Sequence, residues 1–547
     1  MKMLFKTSIF ITLLILVTFL VYTTAIGYEN TISELIRLFK YEKYQDQIKL
    51  LISKNKFYYT QGGIFILILA LIIILKYSNT ILSIVFCYLK DLRSSLLKSV
   101  NILSYKHNVA TLLLPTLAIV YYAINLPISY DEAWTYLNFS SKNFIISLTY
   151  YPAPNNHILH SILTNITNFI FPTSPLFSLR LPTIIVSLML YLIGMYSIKK
   201  HYNQNVSIAS VGIFSVLFMG IYYGYMSRGY ALILLFFIAS FHFALNIIKN
   251  PSNVRDWVWL TIFSILGFFT MPSYLYAFAT LNVVLLFSTL KKSVFIKQVK
   301  YSVITFIATT ILYLPTIIVS GLNSLTNNKF VAPKLREVVF SKLPEFLFQT
   351  LEDLAGVNAI FLLSIIIISL LLLLRNKDWF HTKLFTLFLI MPPLLLLTHS
   401  VIPFSRTFNY YGFIIVLLFC ISNHNFLEKI KIKALIFIII CLQILLIYNF
   451  NNIIYNYEKY TIAAKEINSN IISDNKSYLV NSALFDAYLI YSLKTENITN
   501  YTVDYIPALN MSADTISNYN YIIIDKNLDE TKKKKQIYSN EYFNIYE

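Results

Sequence analysis

Residues 357–374 read Val357-Asn358-Ala359-Ile360-Phe361-Leu362-Leu363-Ser364-Ile365-Ile366-Ile367-Ile368-Ser369-Leu370-Leu371-Leu372-Leu373-Leu374, a stretch without a single charge. A hydrocarbon layer about 30 Å thick is crossed by roughly 20 helical residues, so this run reads as a membrane span. It is continuous rather than alternating, which argues against a β-barrel strand. Further apolar runs lie near 8–26, 62–86, 109–127, 181–198, 207–224, 229–248, 257–271, 273–290, 301–319, 384–402, 407–422 and 434–449. They predict about thirteen spans. The whole chain agrees: of 547 residues 57% are hydrophobic and 13% charged, with mean hydropathy +0.62, against about 25% charged in ordinary soluble domains. These values exclude a soluble enzyme, a disordered chain, a collagen-like fibre and a disulfide-stapled secreted domain. The fold class expected is an all-α polytopic membrane protein, with a small α/β domain after the last span.

The net charge is +18, from 44 basic and 26 acidic residues. Its distribution points to topology, and no nucleic-acid partner is expected. With the amino terminus inside, the inner loops carry Lys90, Arg93, Lys98 and Lys106; Lys199 and Lys200; Lys249 and Arg255; Lys291, Lys292, Lys297 and Lys300; Arg375, Lys377 and Lys383; and Lys429, Lys431 and Lys433. The opposite turns are nearly free of lysine, as the positive-inside rule requires. The run at 8–26 follows Lys2 and Lys6 as a signal peptide would. Thr23-Thr24-Ala25-Ile26-Gly27 is a poor cleavage site, so an uncleaved anchor is expected. The exception to the charge rule is 27–61, with Arg37, Lys40, Lys43, Lys49, Lys54 and Lys56 beside Glu29, Glu34, Glu42 and Asp46. Its Ile32, Leu35, Ile36 and Phe39 have the spacing of an amphipathic helix on the membrane surface. Cys87, Cys420 and Cys441 lie in apolar runs and read as small core residues.

Three outer segments are long: 128–180, 320–356 and 450–547. In the last, 477–481 and 519–525 read as buried strands, and 459–472 and 483–493 as helices. The Lys532–Lys535 run reads as a solvated face. The chain therefore divides into an extension with two spans (1–104), a membrane core (105–450) and an α/β domain (451–547).

The chemistry concentrates after residue 127. Ile128-Ser129-Tyr130-Asp131-Glu132-Ala133-Trp134-Thr135 sets two acids just outside a span, where carboxylates near hydrocarbon are costly. Tyr151-Pro152-Ala153-Pro154-Asn155-Asn156-His157-Ile158-Leu159-His160 follows. Its prolines fix an extended entry and Asn155 or Asn156 can cap the next helix. His157 and His160 lie one turn apart and, with Asp131 or Glu132, are a weak signal for a divalent metal. Arg180, Arg228 and Arg406 stand at the outer boundary, where topology asks for no cation. Guanidinium groups there can grip a lipid phosphate bidentately. Tyr121, Tyr122, Tyr130, Trp134, Tyr150 and Tyr151 crowd the same region, as sugar-stacking rings or an interfacial belt.

The order of span, Asp131-Glu132, Pro154-Asn155-Asn156-His157, helix, Arg180-Leu181-Pro182 and span resembles the GT-C lipid-linked glycosyltransferases. The likeness is to the bacterial branch related to protein O-mannosyltransferases and aminoarabinose transferases. Ser227-Arg228-Gly229-Tyr230-Ala231-Leu232 is similar to that family's Arg-x-Tyr-Ala-Leu turn. Arg406 before Tyr410-Tyr411 is similar to its late Arg-Tyr turn. The resemblance covers about 105–425. Asn155-Asn156-His157-Ile158 departs from the common His-Pro-Pro-Leu form, and the spans before 105 are extra.

The resemblance implies a sugar carried on polyprenyl phosphate and moved to an acceptor glycan, lipid or protein on the outer face of a bacterial inner membrane. It implies Asp131 as general base, with Glu132 the second acid. Arg228, Arg406 and Arg180 would hold the donor phosphate, and His157, Asn156, Tyr230 and Trp134 would contact substrate. The leaving phosphate is already acidic, so no general acid is required; no cofactor is expected, a divalent metal being the alternative. Residues 320–356, with Lys329, Lys334, Arg336 and Lys342, would close over the donor as a lid. The competing readings are a polysaccharide polymerase or ligase, a flippase or transporter with repeats and mid-membrane charges, and a scaffold displaying 450–547.

Overall fold

The structure is a computed structural model that describes residues 2–38, 52–328, 332–506, 519–526 and 536–546. Among the described residues nine helices are long and apolar enough to cross a membrane, or eleven if each of two bent pairs counts as one span. The chain is an integral membrane protein. The count falls short of thirteen because the runs at 257–271 and 407–422 form the helices Val254–Thr270 and Tyr410–Ser422, of 17 and 13 residues. At 1.5 Å per residue these reach only roughly 26 and 20 Å.

Contacts divide the chain into two units. The first holds the residues up to Ser99 together with Pro315–Leu322. Within it the helix Lys2–Leu38, kinked at Gly27, packs on Lys54–Lys76 through Ile9, Leu13 and Ile68. Beyond the kink Ile32 and Ile36, one turn apart, are buried. Phe39, Lys40, Glu42, Lys43, Asp46 and Lys49 of the expected surface helix lie outside the described residues.

The second unit, Val100–Leu314 with Asn323–Glu547, carries the candidate site. The span expected at 207–224 is broken into Gln204–Phe214 and Phe218–Tyr225, which meet at 70°. Tyr191 Oη donates to the Ser215 carbonyl at that break, 3.3 Å away. A Cβ at Gly212 would lie 2.7 Å from Ile439 Cγ2 and 2.9 Å from Thr111 Cγ2. Only a glycine lets Lys106–Asn125, Gln204–Phe214 and Ile432–Tyr457 approach so closely, as small residues do between membrane helices. Gln443 Nε2 seals the junction with 2.9 Å bonds to the carbonyls of Thr111 and Gly212.

The second bent pair is Arg336–Ala355 and Ala359–Arg375, at 92°. The expected lid segment is therefore largely a twenty-residue helix. Lys334 N–H bonds the Ser400 carbonyl at 2.7 Å, and Lys329 lies outside the described residues.

Polar ties close the bundle at both ends. At one end Lys200 meets His242, Asn203 Nδ2 donates to Glu428, and Lys297 reaches the Pro251 carbonyl. At the other, Asn409 Nδ2 donates to the Tyr230 carbonyl at 2.9 Å, joining the starts of two helices.

After the last long helix comes Lys459–Ile471, then β1 (Lys476–Val480), Ala483–Thr495, β2 (Tyr501–Tyr505), β3 (Tyr521–Asp525), β4 (Gln536–Ser539) and β5 (Phe543–Tyr546). The sheet order is β2-β1-β3-β5-β4. β1 pairs in parallel with β2 and β3, and the β5 pairings are antiparallel. Parallel strands need a crossover, which Ala483–Thr495 supplies between β1 and β2. The apolar centres of β1 and β3 made those strands readable; β2, β4 and β5 are polar-interrupted and were not anticipated. The Lys532–Lys535 run lies outside the described residues.

Candidate active site

The two adjacent acids have opposite fates. Ser129 caps the short helix Tyr130–Thr135 in a reciprocal box: its Oγ accepts the Glu132 N–H at 3.3 Å, while Glu132 Oε2 accepts the Ser129 N–H at 3.0 Å. Glu132 is fully buried and gripped by Arg180, with Nε 3.0 Å from Oε1 and NH2 2.7 Å from Oε2. The Ser227 N–H adds a 2.7 Å bond to Oε1. Burial alone would raise the Glu132 carboxyl, but the Arg180 charge and these bonds outweigh it and hold it below the ordinary range. Arg180 also donates to the carbonyls of Ala123, Leu126 and Pro127 at 2.8–2.9 Å. All five of its N–H donors are thereby engaged. Arg180 was expected at the donor phosphate and Glu132 as the second acid of the catalytic pair. The structure buries them together instead, as a tie between loop and bundle with no atom left for a ligand.

Asp131, the preceding residue, points the other way. Its Oδ2 lies 3.7 Å from Arg228 NH2 and 3.6 Å from Arg406 NH2, with the aspartate side chain partly exposed. One carboxylate oxygen thus sits between two guanidinium groups that come from segments far apart in sequence. These distances exceed direct charge-assisted hydrogen bonds, which run at about 2.7–2.9 Å.

Arg228 is buried, and its NH1 is 3.2 Å from the Asn155 carbonyl. The Nε atoms of Arg228 and Arg406 have no hydrogen-bond partner among the described residues. The Tyr230 ring is shared by the two, with guanidinium carbons 5.9 and 5.8 Å from its centroid, within cation–π range.

His157 is fixed from behind. Its Nδ1 accepts the Gly229 N–H at 2.8 Å. A Cβ at Gly229 would come within 2.9 Å of His157 Cβ and 2.8 Å of Thr270 Cγ2, so glycine is what allows that approach. Burial first, then the charges of Arg228, His160 and Arg406, keep His157 well below its usual range and neutral. A neutral ring accepting at Nδ1 carries its proton on Nε2. That atom is 3.3 Å from Arg228 NH2, so two donors lie side by side and call for one shared acceptor.

The remaining expectations divide. His160 bonds Thr183 at 3.0 Å and does not join His157. Among the described residues no group of three His, Cys, Asp or Glu side chains could hold a metal. Asn156 was expected at substrate but is internal: its Nδ2 donates to the carbonyls of Ser147 and Tyr150, and its Oδ1 accepts from Ser161. Trp134 is half-buried, edge-on to Phe139. A π-helical turn, Tyr136–Ser140, follows the Asp131 helix. Asn165 Nδ2 gathers the carbonyls of Phe139, Ser140 and Lys142 around it at 2.8–3.1 Å.

Arg406 also lines a cavity of about 200 Å³, walled by Tyr222, Tyr223, Phe404 and Tyr457 and by Gln349, Asp353 and Ser405. Ser405 Oγ donates to Asp353. Asp353 was not anticipated, although Glu352-Asp353 just before a span repeats the pattern of Asp131-Glu132.

No protein family and no curated protein matches the sequence. Solved structures do match the fold. ArnT from Cupriavidus metallidurans in the apo state aligns with TM-score 0.53 at 10% identity, covering 79% of this chain and 96% of that one. The same protein bound to undecaprenyl phosphate aligns with TM-score 0.55 at 10% identity, over 82% and 98%. The chain therefore shares the polytopic fold of these ArnT structures, the fold that the motif order implied.

Proposed function

We propose that this chain transfers a sugar from a polyprenyl-phosphate donor to a hydroxyl or similar acceptor, outside a bacterial inner membrane. The observation that carries the reading is the single Asp131 carboxylate between Arg228 and Arg406. The undecaprenyl phosphate bound to a structure of the same fold supports a lipid-phosphate ligand.

On this reading the donor phosphate is held by Arg228 and Arg406, with the His157 Nε2–H as a neutral third donor. Asp131 takes the acceptor's proton. The acceptor oxygen bonds to the anomeric carbon, the bond from that carbon to the phosphate oxygen breaks, and its electron pair leaves on the polyprenyl phosphate. The two guanidiniums stabilise the charge that develops there. No general acid is needed, and the configuration inverts. The 200 Å³ cavity beside Arg406 is smaller than the roughly 300–1,000 Å³ pockets that hold drug-sized ligands. It suits one sugar ring against Tyr222, Tyr223 and Tyr457. Residues 105–450 would carry out transfer, 451–547 would lie outside the membrane, and 1–104 would be an extension.

Two variants in reconstituted vesicles test this. Asp131→Asn should express and fold normally while losing transfer by about 10²–10⁴-fold, the usual weight of a general base; normal transfer would reject the assignment. Arg228→Ala should weaken binding of undecaprenyl phosphate, and unchanged affinity would remove its phosphate role.

A further inference from the structure

The α/β domain packs on the site itself. The helix Tyr130–Thr135 is one and a half turns long, and isolated helices that short do not persist in water. One side carries Asp131 towards the arginines. The other carries Ala133 and, just beyond the helix, Tyr136, which with Leu179 share one hydrophobic cluster with Tyr488, Leu489 and Tyr491 of the domain helix Ala483–Thr495. The Tyr136 and Tyr491 rings meet edge to face at 5.2 Å, and Tyr130 and Tyr488 at 6.4 Å. Tyr488 Oη is itself fixed on Thr461 Oγ1 at 2.7 Å. The domain is anchored at its root as well: the buried Glu458, which joins the last long helix to Lys459–Ile471, accepts the Tyr222 hydroxyl at 2.6 Å. The Asp131 helix is thus held both by the Arg180 tie and by a tyrosine-lined domain surface.

We infer that the α/β domain is a positioning part of the active site, with Tyr488 and Tyr491 clamping the Asp131 helix so that its carboxylate meets Arg228 and Arg406. This rests on the proposed transfer reaction for its catalytic meaning, though the clamp can be measured without turnover. The phosphate-holding arginines lie on other segments, so loosening the clamp should spare lipid binding and slow transfer.

The full chain carrying Tyr491→Ala tests this, with Tyr491→Phe as the conservative partner. Tyr505→Ala, on the exposed strand β2, is the control. Hydrogen exchange of amides 131–136 should accelerate at least tenfold in Tyr491→Ala, with exchange in Tyr230–Lys249 unchanged. Affinity for undecaprenyl phosphate should stay within about twofold. With a panel of undecaprenyl-phosphate hexoses and pentoses, kcat should fall roughly ten- to hundredfold at unchanged KM, the scale expected when a reacting group is misplaced by an ångström. Tyr491→Phe should restore both kcat and protection. Unchanged exchange at 131–136 would overturn the clamp. So would lipid binding and transfer falling in parallel, or a failure of phenylalanine to rescue. A wild-type chain that transfers no sugar would instead sink the proposed reaction and leave the exchange result to judge the clamp.

Discussion

Arg180, Arg228 and Arg406 are the same residue type at the same end of the bundle, and of the three only Arg180 has every donor engaged among the described residues. The difference lies in backbone carbonyls more than fifty positions away, at Ala123, Leu126 and Pro127, so linear sequence could place all three arginines but not sort them. The same holds for Asp131 and Glu132. Their adjacency marks the spot; which of them is spent on structure depends on where Arg180 and the Ser227 amide arrive. Because Glu132 and Arg180 are both buried, removing one partner should cost about 3–5 kcal/mol. Arg180→Lys should fare nearly as badly, since a lysine cannot supply the fork; thermal melting in detergent measures both. The Glu132 carboxyl is held below its unfolded value, so its stabilisation is present above the ordinary range near pH 4.3 and lost as pH falls through the lower folded value. Glu132→Gln should melt lower at neutral pH and lose less of its remaining stability on acidification.

At the scale of elements, the apolar runs gave the long helices almost directly, since hydrocarbon thickness leaves few alternatives. What composition did not reveal was where a run bends. The break after Phe214 and the 92° turn after Ala355 depend on partners such as Tyr191 and Asn449, whose amide donates to the Gly356 carbonyl at 2.7 Å. The capping box at Ser129 has a plain signature in the chain, Ser129-Tyr130-Asp131-Glu132, in which one of the two acids serves as a cap rather than as chemistry. Ser129→Ala should cost roughly 1 kcal/mol and accelerate amide exchange in residues 130–133 while leaving the arginines in place, which exchange mass spectrometry would resolve.

For the molecule as a whole, the polytopic class and the presence of an α/β tail could be read from the chain, whereas the tail's contact with the Asp131 helix could not. That contact is made by tyrosines, and in a chain with 42 of them no single one stands out. The bundle's coherence rests on close approaches such as Gly212. Gly212→Val should force Thr111 and Ile439 apart, strip Gln443 of its two carbonyls and lower the melting temperature by several degrees, consistent with about 1–3 kcal/mol for overpacking.

The wide turn at Tyr136–Ser140 carries one further consequence. Each helical residue advances the chain by about 100°, and Asn165 grips the carbonyls at the end of that turn. Deleting one residue between 136 and 140 would rewind it as an ordinary helix and swing everything upstream by more than a quarter revolution, carrying Asp131 off the arginines. Among proteins descended from the same ancestor, the length of this stretch should therefore stay constant, even where letters other than the buried Tyr136, Phe139 and Ser140 drift.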